Sequence, residues 1–180
     1  MLRRVCLAVL LAPALVACGD PEDDDSPKAA DPPAYYTDLA ELTAAMDQEN
    51  TAADQELNDS LPTTDQAEIG DLFSRATEES ADRLEATLEE MAELTPPESA
   101  DGAHEEFLAA TRAELEVSRE LAARLAGLDQ SALEALPPLA GQAAAEARTD
   151  VACAALQALA DAAEADVRLC VGMFAEPTGG

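Results

Sequence analysis

The chain has 180 residues, of which 38 are acidic and only 10 basic, so its formal net charge is −28. Nucleic-acid backbones are bound by Lys and Arg side chains that neutralise phosphates, and this charge therefore argues against a nucleic-acid partner. Two Tyr, three Phe and no Trp leave little material for aromatic ligand platforms. The abundance of Ala, Leu and Glu favours helices, and the length allows one main domain.

The first segment, residues 1–17, has the pattern of an export signal. Arg3 and Arg4 precede an apolar run, Val5–Leu15, of eleven residues. As a helix this run rises about 16 Å, whereas the hydrocarbon core of a bilayer is about 30 Å thick, so the run is too short to span a membrane. We expect a signal peptide that the mature protein loses, which takes the formal charge to −30 because two arginines leave with it.

The apolar run ends in Leu15-Val16-Ala17-Cys18, which resembles the lipobox of bacterial lipoproteins position by position. The resemblance implies that signal peptidase II cleaves after Ala17 and that Cys18 is acylated, with palmitate among the chains. Two or three acyl chains anchor a protein durably, whereas one does so only marginally. We therefore expect a cell-envelope protein, lipid-anchored to a bacterial membrane on its extracytoplasmic side, with the bilayer as its partner through Cys18. The alternative is an ordinary secretory signal that leaves Cys18 free.

Residues 18–34 are predicted to form the lipidated cysteine and a disordered tether, because Asp and Pro dominate and no apolar periodicity is present. The acidic run Asp23-Asp24-Asp25 is either a plain spacer or a signal that sorts the lipoprotein between membranes, as acidic residues behind the lipidated cysteine do in some bacteria. The folded domain is expected over residues 35–175, with a disordered tail at 176–180.

Two long helices are predicted in the first half of the domain. Thr37 is a good N-cap, and apolar residues at helical spacing predict a first helix to about Leu57, with Asn50 on the same face. A proline then ends the pattern. A second helix is predicted from Thr64 or Asp65 to Leu94, since apolar residues recur there at three- and four-residue steps until a proline pair follows.

The sequence of the second half of the domain predicts two more long helices and a short turn of helix between them. Ser99 or Asp101 can cap a third helix that ends near Gly127. A turn of helix is expected at Ser131–Leu136, and an Ala-rich helix over Leu139–Glu164.

Four amphipathic helices with short polar links predict an all-α fold, arranged as an up-down four-helix bundle. An elongated coiled coil is the alternative architecture, but its heptads would have to continue through the prolines at 62, 96–97 and 137–138. A surface this acidic repels itself and salt screens the repulsion, so we expect the domain to be more stable at high salt.

The four cysteines divide between export and the domain. Cys6 leaves with the signal and, if the lipobox holds, Cys18 is acylated. The remaining pair, Cys153 and Cys170, is expected to form a disulfide in an oxidising compartment. Within one straight helix the two would stand about 25 Å apart, too far for a disulfide. We therefore expect the last helix to end near Glu164 and the tail to turn back along it.

His104 is the only histidine, so any His-centred site would have to include it. Gly102-Ala103-His104 resembles the start of the Gly-x-His-x-x-Glu motif of imelysin-like proteins, which are exported helical bundles proposed to bind metal or haem. The chain departs from that motif where Phe107 replaces the Glu. Metal or haem capture is therefore the alternative function, and the favoured interpretation places His104 in a polar line with Thr111 and Ser118 at the edge of the core.

The sequence offers little enzyme chemistry. It has no nucleophile elbow, no zinc-ligand set and no calcium-binding loop. Its acidic pairs, such as Glu78-Glu79, Glu89-Glu90 and Glu105-Glu106, are adjacent helix residues whose side chains diverge by about 100°. We assign no catalytic residue, metal or cofactor, and expect a non-enzymatic binding or structural module of the cell envelope whose protein partner is unknown.

Overall fold

The computed structural model describes residues 31–169, and its regular elements in this range are all helical. The predicted all-α fold class is therefore confirmed. The predicted signal peptide at 1–17, Cys18, Cys170 and the predicted tail at 176–180 lie outside the described residues. The elements, in chain order, are α1 (Pro32–Ser60), a 3-10 helix (Leu61–Thr63), α2 (Ile69–Glu93), α3 (Asp101–Leu125), α4 (Gln130–Glu134) and α5 (Gln142–Ala162).

Helix α1 begins at Pro32, earlier than the predicted start at Thr37, and takes up the last residues of the predicted tether. Pro32 and Pro33 fit the first turn because the N–H that proline lacks has no intrahelical partner there, and the fixed proline φ is already helical. Thr37 does not cap the helix. Its hydroxyl donates to the Pro33 carbonyl at 2.9 Å, one turn back.

Helices α2 and α3 form near their predicted positions but start without the predicted caps. Asp65 accepts a hydrogen bond from the Ala67 amide at 3.0 Å, and this turn delays α2 to Ile69. Helix α3 follows Ala100, and neither Ser99 nor Asp101 caps it. Asp101 instead lies in the first turn, where its charge favours the helix dipole.

Two local features determine where α4 and α5 begin. The Asp129 carboxylate accepts from the Ala132 amide at 2.9 Å and so caps α4. Helix α5 starts at Gln142, later than the predicted Leu139, because Gly141 has a φ of 93° that interrupts the helical backbone. Only glycine adopts this region without strain.

The end of α5 turns the chain back, as the sequence predicted. Glu164 has a φ of 56°, the Ala165 amide donates to the Ala160 carbonyl, and the Glu164 amide donates to the Asp161 carbonyl. This is the Schellman pattern of helix termination. Beyond it, the Gln157 side chain bonds both the Val167 carbonyl and the Leu169 amide at 3.0 Å, so the tail lies back along α5 as far as Leu169.

Helix α3 is the centre of the packing, with α2 on one side and α5 on another. The Gly70 amide, at the start of α2, donates to the Leu128 carbonyl beyond the end of α3, whereas Arg119 within α3 pairs with Glu85 further along α2. These two helices are therefore antiparallel. The buried residues of α3 are His104, Phe107, Leu108, Ala110, Thr111, Leu115, Ala122 and Leu125.

Helix α1 is buried only in its first half, where Tyr35, Tyr36, Leu39, Thr43 and Met46 point inward. It packs mainly against α2 and touches α5 much less. A helical bundle accounts for these contacts, while the up-down closure of four helices around one core stays a prediction. None of the helices in residues 31–169 combines the length and the apolar character that crossing a membrane requires.

Candidate functional site

His104, the only histidine, is buried and hydrogen-bonded to Tyr35, a residue that no sequence pattern singled out. Its Nδ1 lies 2.7 Å from the Tyr35 hydroxyl, across from the first turn of α1 to the first turn of α3. The two rings meet edge-on with centroids 5.7 Å apart, and Tyr36 packs against Tyr35 at 4.9 Å. The chain's two tyrosines and its histidine thus form one aromatic cluster at one end of the helices.

Burial sets the protonation of this pair. It lowers the pKa of His104, partly opposed by the charges of Asp101 and Glu105, and raises the pKa of Tyr35 well above its usual value. The imidazole is therefore neutral and the phenol protonated near neutral pH. We assign the hydroxyl as donor to Nδ1, which leaves the ring proton on Nε2.

The surroundings of His104 do not form a metal-ligand set. Phe107, at the position where the imelysin-like motif has Glu, is buried in the apolar core. Within residues 31–169 no group of three or more His, Cys, Asp or Glu side chains is arranged to hold a metal ion. The acidic pairs named from the sequence are exposed, and Glu106 of the last pair is bonded to Arg148 at 2.8 Å, which lowers the pKa of Glu106.

The predicted polar line along α3 is present but has an unexpected member. Thr111 is fully buried and donates to the Phe107 carbonyl, and Ser118 is half-buried. Glu114 lies between them, and within residues 31–169 its buried Oε2 has no hydrogen-bond partner. Burial raises the pKa of this carboxyl, the Thr149 hydroxyl lowers it, and the nearby charges of Glu146 and Asp150 raise it further.

Glu114 was missed because its charge suggested an exposed position. The signal that identifies it is register: it stands seven residues after the buried Phe107, on the same side of α3.

An open groove of about 360 Å³ lies between the second half of α1 and the first half of α2. Asn50, placed on the apolar face of its helix by the sequence, faces this groove and accepts from Nε of Arg83 at 3.2 Å. The Ser80 hydroxyl donates to the same Asn50 oxygen at 3.5 Å. The groove is also lined by Ala53, Asp54, Glu56, Leu57, Ser60, Leu72, Arg75, Ala76 and Glu79.

Of the other predicted site residues, Cys153 is buried on α5 and is disulfide-bonded. Cys170, its predicted partner, and Cys18, the predicted lipidation site, lie outside the described residues. The pairing and the acylation therefore stay predictions.

Comparison with protein-family models, with curated proteins and with solved structures finds no match to this chain.

Proposed function

We propose that this protein is a lipid-anchored module of the bacterial cell envelope whose helical domain binds or supports a partner and performs no catalysis. The observation that carries the proposal is Cys18 behind Leu15-Val16-Ala17, at the end of a short apolar run that follows two arginines. The proposed partner on the membrane side is the bilayer itself, reached through acyl chains on Cys18.

The packing of α1 supports a tethered role. The chain enters the domain at Pro32, and within the next few residues Tyr35, Tyr36 and Leu39 are buried. The Tyr35 bond to His104 connects this entry point to α3. A force applied through the proposed membrane anchor is therefore transmitted to the buried core of the domain and not to a loosely packed terminal helix.

The absence of enzyme function is also a proposal, supported by two observations on residues 31–169. The single histidine is neutral and engaged with Tyr35, and no group of three metal-ligand side chains is present.

Acylation is tested by growing a bacterial host that expresses the full chain with an alkyne-labelled palmitate. We expect label on the wild type and none on Cys18→Ala, because only a thiol takes the thioether-linked lipid. Cys6→Ala is the matched control and keeps the label, since Cys6 precedes the cleavage site. Equal labelling of the Cys18→Ala chain, or an unlabelled wild type, contradicts the proposal.

We also propose that Cys153 and Cys170 form the disulfide that ties the tail to α5. The support is the course of the tail, which runs back along α5 to the buried Leu169, one residue before Cys170. Closing this loop contributes about 3 kcal/mol. Peptide mapping of the non-reduced mature protein should give a linked peptide that contains both cysteines, and two free thiols in the unfolded, unreduced chain would contradict the pairing.

A further inference from the structure

The groove between α1 and α2 is built differently from the rest of the helix packing. At the opposite end of these helices the contact faces carry large apolar side chains such as Tyr36, Leu39 and Met91, all of them fully buried. In the groove most lining positions are small or polar, among them Ala53, Ala76 and Asn50, and Leu57 and Leu72 are its larger apolar members. Small side chains leave space between the helices, and polar side chains do not contribute the free energy of apolar burial. Packing of this kind is therefore less stable than an apolar contact between the same helices.

The Asn50 amide fixes the direction of one cation in the groove. Its oxygen accepts from Nε of Arg83, and within residues 31–169 the two Nη groups of that guanidinium have no hydrogen-bond partner. A guanidinium held through Nε presents both Nη donors as a fork, the geometry that binds a carboxylate bidentately.

A second arginine, Arg75, lines the same groove, and neither of the two forms an ion pair within the described part of the chain. Arg119 and Arg148 pair with Glu85 and Glu106. Arg112, Arg124 and Arg168 are also without an ion pair within residues 31–169, so Arg75 and Arg83 are distinguished by lining one groove together. In a protein with 38 acidic residues, guanidiniums that stay unpaired in one groove are available to a ligand carboxylate.

The wall of the groove also carries negative charge and apolar surface. Asp54, Glu56 and Glu79 line the same groove as the two arginines, so the lining is net acidic and disfavours a ligand that is purely anionic. Leu57 and Leu72 supply an apolar patch. A ligand that matches all three features has a carboxylate, an ammonium group and a small apolar side chain.

We propose that this groove binds a small zwitterion of the amino-acid class, with its carboxylate on the Arg83 fork and Arg75, its ammonium towards the acidic wall, and its side chain against the leucines. Its volume lies at the lower end of the range for small-molecule pockets, which suits a ligand of this size. The inference deepens the proposed function by naming the ligand class of a non-enzymatic binding module.

The test is equilibrium dialysis of radiolabelled L-leucine against the full mature chain in detergent, with two competitors. Leucinamide lacks the carboxylate and 4-methylpentanoate lacks the ammonium. We expect saturable binding of one leucine per chain, with each competitor weaker than unlabelled leucine by at least about tenfold, the loss of roughly one charge-assisted interaction.

Variants locate the site. Arg83→Ala and Arg75→Ala should each weaken leucine binding by at least about fivefold, while Arg112→Ala, an exposed arginine on α3 that does not line the groove, stays within about twofold. Arg75 is exposed, so its variant reports on binding even where Arg83→Ala disturbs the fold.

The inference is overturned if no leucine is retained at about 10 mM, if the arginine variants bind as the wild type does, or if either competitor equals leucine. Acyl labelling of the same preparation is a separate readout. A labelled chain that binds no leucine refutes the groove and leaves the anchored module standing, whereas an unlabelled chain that binds leucine does the reverse.

Discussion

The Tyr35 hydroxyl lies 2.7 Å from Nδ1 of His104, so a single buried hydrogen bond joins the first turn of α1 to the first turn of α3. Sixty-nine positions separate the two residues in the chain. The bond lies where the chain enters the domain from its proposed anchor, and it makes the packing of α1 depend on the protonation of one imidazole.

Acidification should weaken the domain through His104. Burial lowers its pKa below the usual value of about 6.5, so the unfolded chain takes up a proton at a higher pH than the folded one. Stability is therefore unaffected by this group above about pH 7 and falls as the pH drops from 6.5 towards the lowered folded-state pKa. Urea denaturation followed by circular dichroism at pH 7.5 and about pH 5.5 measures the loss. His104→Gln should show a smaller loss over this interval, and an unchanged loss would assign it to other groups.

Removal of the Tyr35 hydroxyl should cost about 1–2 kcal/mol of unfolding free energy, because Tyr35→Phe leaves Nδ1 of His104 buried without a donor. Tyr36→Phe is the matched control. Tyr36 is equally buried on the same turn, yet within residues 31–169 its hydroxyl has no hydrogen-bond partner, so its loss should cost less than about 0.5 kcal/mol. Equal costs for both variants would mean that the bond to His104 contributes nothing measurable.

Glu114→Gln should stabilise the domain at neutral and alkaline pH. Burial raises the pKa of this carboxyl, and the charges of Glu146 and Asp150 on α5 raise it further, against a lowering by Thr149. A carboxyl whose pKa is higher in the folded state than in the unfolded state lowers the stability of the fold when it is ionised. This cost is complete above the folded-state pKa and disappears as the pH falls to the unfolded-state pKa. Because the side chain is only half-buried, we expect a gain below about 1 kcal/mol at pH 8 that shrinks by pH 4.5.

The control for Glu114 is Glu116→Gln, which removes the same charge from an exposed position two residues further along α3. If both substitutions give the same gain at pH 8, the effect comes from the net charge of the protein and not from the buried carboxyl.

The helices could be predicted from the sequence, whereas their ends and the polar contacts between them could not. Apolar periodicity is a local signal, and it located the long helices, whereas the expected pairing of Cys153 with Cys170 predicted the reversal after Glu164. Thr37 and Asp101 were wrong as caps because α1 and α3 begin earlier, directly after Asp31 and Ala100, so both residues already lie inside a helix. The Tyr35 bond to His104 and the burial of Glu114 arise only when distant segments meet, so no local pattern encodes them.

Gly70→Ala should destabilise the domain by about 2–3 kcal/mol. A Cβ at this position would overlap the Leu128 carbonyl and lie 2.8 Å from the Leu128 amide nitrogen, both of them backbone atoms that have no room to move aside. Gly102→Ala is the matched control in the first turn of α3, where a Cβ meets nothing within 4 Å. There the substitution should be neutral or stabilise by up to about 1 kcal/mol. Equal effects of the two changes in urea denaturation would show that the α2 contact with Leu128 is not close.

Glu164→Gly should stabilise the end of α5 by up to about 1 kcal/mol. Glu164 has a φ of 56° at the position after the C-cap, where glycine adopts the left-handed backbone without steric cost. Glu164→Ala removes the charge but keeps the strain, so it separates the two effects and should give little gain. Thermal melts of both variants check this, and a gain shared by Ala would assign the effect to charge.

Added salt should raise the stability of the domain, because salt screens the repulsion among its carboxylates. The excess of acidic over basic residues, 38 against 10 in the chain, makes the folded state repel itself more strongly than the expanded chain does. The Debye length falls from about 10 Å at 0.1 M salt to about 3 Å at 1 M. The three exposed ion pairs within residues 31–169, Arg119 with Glu85 and Asp82 and Arg148 with Glu106, are weakened by the same screening, but exposed pairs contribute only about 0–1 kcal/mol each. The repulsion among the many remaining carboxylates therefore dominates, and the melting temperature should rise between 0.05 and 1 M NaCl. Repeating the melts at about pH 4, where carboxylates are partly protonated, should reduce the rise. A melting temperature that stays constant or falls with salt at neutral pH would show that the acidic surface does not limit the stability of the fold.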